Sequence, residues 1–316
     1  MPLSLDPEIA AALQKTMGDA PPPQRPPPGH VPERRAMFNS WMGMVSSMLP
    51  KADDVTSRDL ATKGADGTAV KLRWYEKTGG TKGPAVLYLH GGGSILGSID
   101  TYDAVVRNYV SQSGVPMLSV DYRLAPESPH PIPVEDCYAG LTYLGEHAAS
   151  LGVDPKRIAV MGESAGGGLA TSIAMLARDR NGPVPAKQIL IYAMLDDRNT
   201  RPDPRLAPFA SWTYDDNITA WQGVLGARYG KDDVPHTAAP ARATDLNDLP
   251  PAYIEVGQLD IFCNEDIAYA LKLSRAGIPV ELHVHPGAQH GFELIAPASK
   301  VARRSASDRL RVLQTL

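Results

Sequence analysis

The chain has 316 residues, 43% hydrophobic and 21% charged, the balance of a globular protein large enough for one α/β domain with an appendage. No apolar run approaches the roughly 20 residues that span a bilayer, so stable membrane insertion is not expected. Thirty-one basic against 35 acidic residues give a formal net charge of -4, without the broad positive field that nucleic acid binding needs.

The N-terminus lacks the basic stretch and apolar core of a secretory signal, which makes a cytoplasmic location the default expectation. Asp6-Pro7-Glu8 reads as an N-cap, a first helical residue and an acidic first turn, opening a short helix through Met17. From Pro21 to Pro28, PPPQRPPP favours an extended polyproline spacer; a PxxP ligand for a partner domain is the alternative. Glu33 to Leu49 is a Met-rich amphipathic stretch with Phe38, Trp41, Met42, Met44 and Met48. It suits either core packing or a mobile cover over a pocket.

Beyond residue 70, strands and helices alternate. Short apolar runs at Val86–Leu89, Met117–Val120, Ile158–Met161, Ile189–Tyr192, Tyr253–Val256 and Val280–Val284 predict strands. Val134, Cys137, Leu141 and Leu144, and later Leu169, Ile173 and Leu176, recur at helical spacing. A largely parallel sheet flanked by helices follows. Asp197 to Val234 interrupts the pattern with prolines and aromatics, among them Phe209, Trp212, Tyr214 and Trp221, and reads as an inserted cap element. Cys137 and Cys263 are too few for a disulfide framework and are expected as free thiols, Cys137 in the core. His283 and His285 share a strand face, which suits two polar strand positions better than a metal pair.

Chemistry enters at Ile158–Met161, which runs straight into Gly162-Glu163-Ser164-Ala165-Gly166 and then a helical pattern. This is GxSxG in a strand–turn–helix setting, where a strained turn lifts a nucleophilic hydroxyl above the sheet. Upstream, Tyr88-Leu89-His90-Gly91-Gly92-Gly93 puts three glycines after a strand. Backbone N–H groups there can be aimed at a developing oxyanion, worth about 3–4 kcal/mol per essential donor. Gly91, Gly93 and Gly97 also form a loose dinucleotide-loop pattern, but Leu96 stands where its last glycine is needed. Downstream, Asp260 follows one strand and His290-Gly291-Phe292 follows another. The order Ser, Asp, His is that of α/β-hydrolases.

HGGG at His90–Gly93, DYRLAPE at Asp121–Glu127, GESAGG at Gly162–Gly167 and HGF at His290–Phe292 resemble the hormone-sensitive lipase family of esterases, over roughly residues 70 to 315. The resemblance implies an α/β-hydrolase fold. It also implies an oxyanion hole from the N–H groups of Gly92, Gly93 and Ala165, with His90 and Gly91 supporting the loop. A cap would come from residues 1–50 and an insertion at about 197–234 within a catalytic domain of residues 51–316. Two positions depart from the family's commonest pattern: Glu163 precedes the serine where Asp or Thr is usual, and Ser94 replaces an aromatic. Glu265 lies where the family often has an acid; it can support the triad from behind or cap the next helix, and the capping role is expected.

The expected reaction is hydrolysis of short- to medium-chain acyl esters, aryl esters included. Ser164 is the nucleophile, His290 the base and Asp260 its orienting acid, with no metal or organic cofactor. A neutral base predicts activity that rises with pH through the range where histidines ordinarily lose a proton. An amidase or peptidase on the same machinery, and a non-catalytic binder of small molecules, are the competing readings. An exposed sheet edge near the last strands suits a homodimer.

Overall fold

The computed structural model describes residues 2–18, 25–79 and 83–316. Eight strands form one sheet: β1 (Val55–Lys63), β2 (Ala69–Lys77), β3 (Gly83–Leu89), β4 (Met117–Val120), β5 (Val153–Glu163), β6 (Lys187–Ile191), β7 (Ala252–Gly257) and β8 (Val280–His285), in the order β1-β2-β4-β3-β5-β6-β7-β8. β1 and β2 run antiparallel to each other, β2 runs antiparallel to β4, and all other neighbours are parallel. All six predicted strands are present.

The two additional strands escaped the pattern for different reasons. β2 alternates cleanly, with Val70, Leu72 and Trp74 buried on one face, but lies before the region where periodicity is plain. β1 buries only Val55 fully. It is held by nine consecutive pairs with β2 rather than by an apolar face.

Among the described residues, ten α-helices accompany the sheet: α1 (Pro7–Met17), α2 (Val31–Met48), α3 (Asp103–Ser113), α4 (Ile132–Glu146), α5 (Ala148–Leu151), α6 (Ala165–Asp179), α7 (Tyr214–Leu225), α8 (Cys263–Arg275), α9 (Phe292–Ile295) and α10 (Lys300–Gln314). The period of two in β3 sorts the core. Ala85, Leu87 and Leu89 face α4, α6 and α8 through Leu141, Ile173 and Leu273. Val86 and Tyr88 face α3 and α10 through Val106, Val110 and Val312. Each such side chain contributes roughly 1.5–3 kcal/mol by leaving water, so the central strands are anchored from both sides. Cys137 and Cys263 are both buried free thiols.

α1 begins as expected: the Asp6 carboxylate accepts from the N–H groups of Glu8 and Ile9 at 2.8 and 3.3 Å, with Pro7 at the first helical position. It is docked, because the Asp6 N–H donates to Gly287 O at 2.9 Å and Ile9 packs on Ala288 and Phe292. The expected spacer at Pro21 to Pro28 lies partly outside the described residues. Its end, from Arg25, runs along α7. Within the aromatic insertion, α7 is started by a capping box in which Thr213 and Asp216 serve each other's backbone N–H groups. Asp216 also accepts from Arg34 Nε of α2 at 2.8 Å and from Arg25 at 3.0 Å. Arg34 donates further to the carbonyls of Pro26 and Pro27. A single buried carboxylate therefore joins the extended segment, α2 and α7.

His283 and His285 stack on one face of β8, as their spacing implied. Glu281, His283 and Asp308 bring ligand atoms within 4.8 Å of one another, but the Arg311 guanidinium already bridges the two carboxylates. No helix among the described residues is long and apolar enough to cross a membrane.

Candidate active site

Ser164 sits between the last residue of β5 and the first of α6, with φ 56 and ψ -121. A non-glycine residue in this region carries strain of about 1–3 kcal/mol, held only where the surroundings over-determine it. They do so here. The Ser164 N–H donates to Ile191 O at 2.9 Å, and its carbonyl accepts from Gly167 and Met194 at 2.9 and 3.0 Å. Gly166 is required by contact: a Cβ there would land on the Leu89 carbonyl oxygen. The helix can thus press against β3 and present Ser164 at the carboxyl end of the sheet.

His290 and Asp260 reach the same point from the loops after β8 and β7. His290 Nε2 lies 3.1 Å from Ser164 Oγ, and His290 Nδ1 lies 2.6 Å from Asp260 Oδ2. A carboxylate only accepts, so Nδ1 carries the proton and Nε2 is free to accept from the serine hydroxyl. Asp260 is fully buried, and its second oxygen accepts from the Phe262 N–H at 2.9 Å. The imidazole is held by the ring edges of Tyr192 and Phe262, with centroids at 4.5 and 5.2 Å. Ser211 Oγ donates to the His290 carbonyl at 2.5 Å. No local spacing points to Phe262, Tyr192 or Ser211 as supports of the imidazole; Trp212, which lies near it, belongs to the aromatic group already noted.

The glycine loop passes beside the serine. Gly92 has φ +110, and a Cβ on it would strike the Leu96 backbone, so the turn is open to glycine alone. The N–H groups of Gly92, Gly93 and Ala165 donate to no acceptor among the described residues. His90 lies against the loop: Nδ1 donates to Gly91 O at 2.8 Å, and the ring stacks on Tyr122 with centroids 4.2 Å apart. Burial lowers the His90 pKa to about 4, keeping the ring neutral. Gly91, Gly93 and Gly97 open no helix, since α3 begins only at Asp103.

Glu265 corrects the expected capping role. Its carboxylate, in the first turn of α8, accepts from Leu195 N at 2.7 Å, Asp196 N at 3.3 Å and Asn199 Nδ2 at 3.0 Å. It fixes the chain leaving β6 rather than its own helix. Burial drives its pKa well above the usual carboxylate range.

A cavity of about 980 Å³ opens over Ser164 and His290. Its wall is mainly apolar, with Phe38, Trp41, Met44 and Met48 from α2, Trp212 from the insertion and Leu294 from α9. A separate void of about 30 Å³ lies behind the glycine loop between Ser94, Leu169 and Trp221.

The α/β-hydrolase-fold family model matches residues 86–294, so the chain belongs to that family. It is a carboxylic ester hydrolase, related to proteins of that activity along most of its length. Esterase LipI of Mycobacterium tuberculosis is 39% identical over 236 residues, 73% of each chain. Carboxylesterase NlhH of the same organism is 41% identical over 226 residues, 69% of this chain and 70% of that one. Among solved structures, a bacterial heroin esterase superposes with a TM-score of 0.89 at 38% identity, covering 99% of this chain and 98% of the other.

Proposed function

We propose that the protein hydrolyses short- to medium-chain acyl esters, aryl esters included, through an acyl-enzyme on Ser164. The observation that carries this reading is the continuous series Asp260, His290, Ser164, at 2.6 and 3.1 Å, beside three unpaired backbone N–H groups. His290 Nε2 takes the Ser164 proton as Oγ bonds to the ester carbonyl carbon. The resulting oxyanion accepts from the N–H groups of Gly92, Gly93 and Ala165. His290 returns the proton to the alkoxy oxygen, the C–O bond breaks and alcohol departs. A water deprotonated by His290 then attacks the acyl-enzyme carbonyl, the bond from that carbon to Ser164 Oγ breaks as His290 returns the proton to Oγ, and the carboxylic acid departs. Asp260 holds the imidazole tautomer and offsets the charge of its protonated form.

In this reading α1, α2 and the insertion at about 197–234 form a cap whose inner wall receives the substrate. The apolar lining suits acyl chains and aromatic rings, and the volume admits a bulky ester such as the one in the name of the heroin esterase relative. A chain-length series of chromogenic esters, run with wild type and Ser164→Ala, tests chemistry and pocket together. Turnover that survives in a clean Ser164→Ala preparation would overturn the mechanism. Matched amides hydrolysed as fast as esters would favour the amidase reading.

A further inference from the structure

Behind Ser164 lies a buried polar network that the reaction above does not use. Glu163, immediately before the serine, is 2% exposed. Its Oε1 accepts from Tyr109 Oη of α3 at 3.0 Å, and its Oε2 has no partner. Tyr109 Oη in turn accepts from Arg309 Nη1 of α10 at 2.7 Å, and the same nitrogen donates to Glu293 Oε1 at 3.0 Å. Glu293 Oε1 also accepts from Tyr192 Oη at 2.6 Å, while Oε2 again has no partner. Tyr192 carries the edge that packs on His290. The network thus joins the residue before the nucleophile to the segment just after the base.

Three carboxylates lie around one guanidinium in this region, and only two of them touch it. Glu255 of β7 takes Arg309 Nε and Nη2, Ser305 Oγ and Tyr253 Oη. Burial works against its charge, but Arg309 and His285 hold its pKa at about 2. Glu293 receives one arm of Arg309 and a tyrosine hydroxyl. Glu163 receives neutral hydroxyls alone, those of Tyr109 and Tyr88. An ionised carboxylate with an orphan oxygen, sealed from water and near a second carboxylate, is costly unless it takes up a proton. The groups facing Glu163 are Tyr88 of β3, Tyr102 just before α3, Tyr109 of α3, Tyr192 after β6, Glu293 of α9 and Arg309 of α10.

We propose that Glu163, kept as a neutral carboxylic acid behind Ser164, is a positioning residue whose ionisation slows acyl transfer. The physical reason is the charge that forms next door. The oxyanion at Ser164 is negative, and Asp260 already supplies the one negative charge that imidazolium requires. A second negative charge at residue 163 opposes the oxyanion and pulls on the Arg309–Glu293–Tyr192 chain that braces His290. Burial, reinforced by Glu293 and opposed by Arg309, Tyr109 and Tyr88, raises the Glu163 pKa to about 7. The switch therefore falls within the working range of an esterase.

This inference rests on Ser164 as nucleophile, and the test separates the two. The readout is kcat/KM for a short-chain chromogenic ester across pH. Wild type should show an alkaline decline of about tenfold. Glu163→Gln, which fixes the neutral form, should abolish the decline and exceed wild type by about that factor at alkaline pH. Glu293→Gln removes the repelling charge and should move the decline to lower pH. Tyr109→Phe removes a donor to the ionised form and should move it higher. An unchanged decline in Glu163→Gln, or shifts of opposite sign in the other two, overturns the proposal. Should Glu163→Gln fail to fold, infrared spectroscopy of wild type and Ser164→Ala decides. A protonated-carboxyl band that titrates away near pH 7 in both proteins, and at lower pH in Glu293→Gln, supports the proposal; the absence of a band that Glu293→Gln moves overturns it, since the buried Glu265 carboxyl lies outside this network. Ser164→Ala keeps that band whether or not it keeps turnover, so the two readings fail separately.

Discussion

The sheet that carries Ser164 and the segments that roof its cavity are held by different forces. Beneath the serine, β3, β5 and β6 are sealed on both faces by aliphatic side chains, and the nucleophile turn is fixed by backbone hydrogen bonds to Ile191 and Met194. Above it, α2, α7 and the extended segment meet around Asp216, which two arginines share. Arg35 adds an ion pair with Glu127 and hydrogen bonds to the carbonyls of Ile95 and Ala125. The inner wall of this roof is Met-rich, and Met44 and Met48 are exposed at its edge. Close packing keeps reacting groups within tenths of an ångström. A roof of polar pins and flexible thioethers can adapt to differing substrates without disturbing them.

That contrast predicts how each region fails. Ser164→Ala should cut turnover by about 10⁴- to 10⁶-fold with little change in melting temperature, since the sheet holds the turn; parallel rate and thermal-unfolding measurements decide it. Arg34→Met should instead cost stability, near the low end of about 3–5 kcal/mol for breaking a buried pair, because Arg25 still faces Asp216. Denaturant unfolding reads that loss, and the KM for bulky esters should rise more than kcat falls. An equal fall in kcat for every ester would mean that the roof also orders the reacting groups.

The buried acid gives a third, intermediate effect. The folded pKa of Glu163, about 7, lies above the ordinary 4.5, so the native state holds the extra proton between those values. Its stabilising contribution is full below about pH 4.5 and is lost as pH rises through about 7, by up to about 3 kcal/mol. Glu163→Gln should flatten that part of the stability profile, as urea midpoints across pH would reveal. At the roof, Met44→Trp should narrow the cavity and lower kcat/KM for longer acyl chains about tenfold relative to acetate, a change worth about 1.4 kcal/mol. Met48→Gln, at an exposed edge, should move stability by less than about 0.5 kcal/mol.

The reactive centre was legible because its chemistry forces particular residue types into local patterns. A strained turn needs GxSxG, and an N–H cradle needs successive glycines. Six of the eight strands were visible as apolar runs, and the insertion at about 197–234 as a break in the alternation. The supports were not legible. β1 has no apolar face to betray it, and Glu265, expected to cap its own helix, instead binds the chain 70 residues upstream.

The sequence by itself determined the order of serine, acid and base, the α/β alternation and the class of reaction, since each rests on neighbours a few residues apart. Only the tertiary structure decided which donors each buried charge receives. Asp216 finds arginines 182 and 191 residues away, and Arg309 divides itself between Glu255 and Glu293. Whether Glu163 carries a charge depends on burial and on partners from three other helices, quantities that no local spacing encodes.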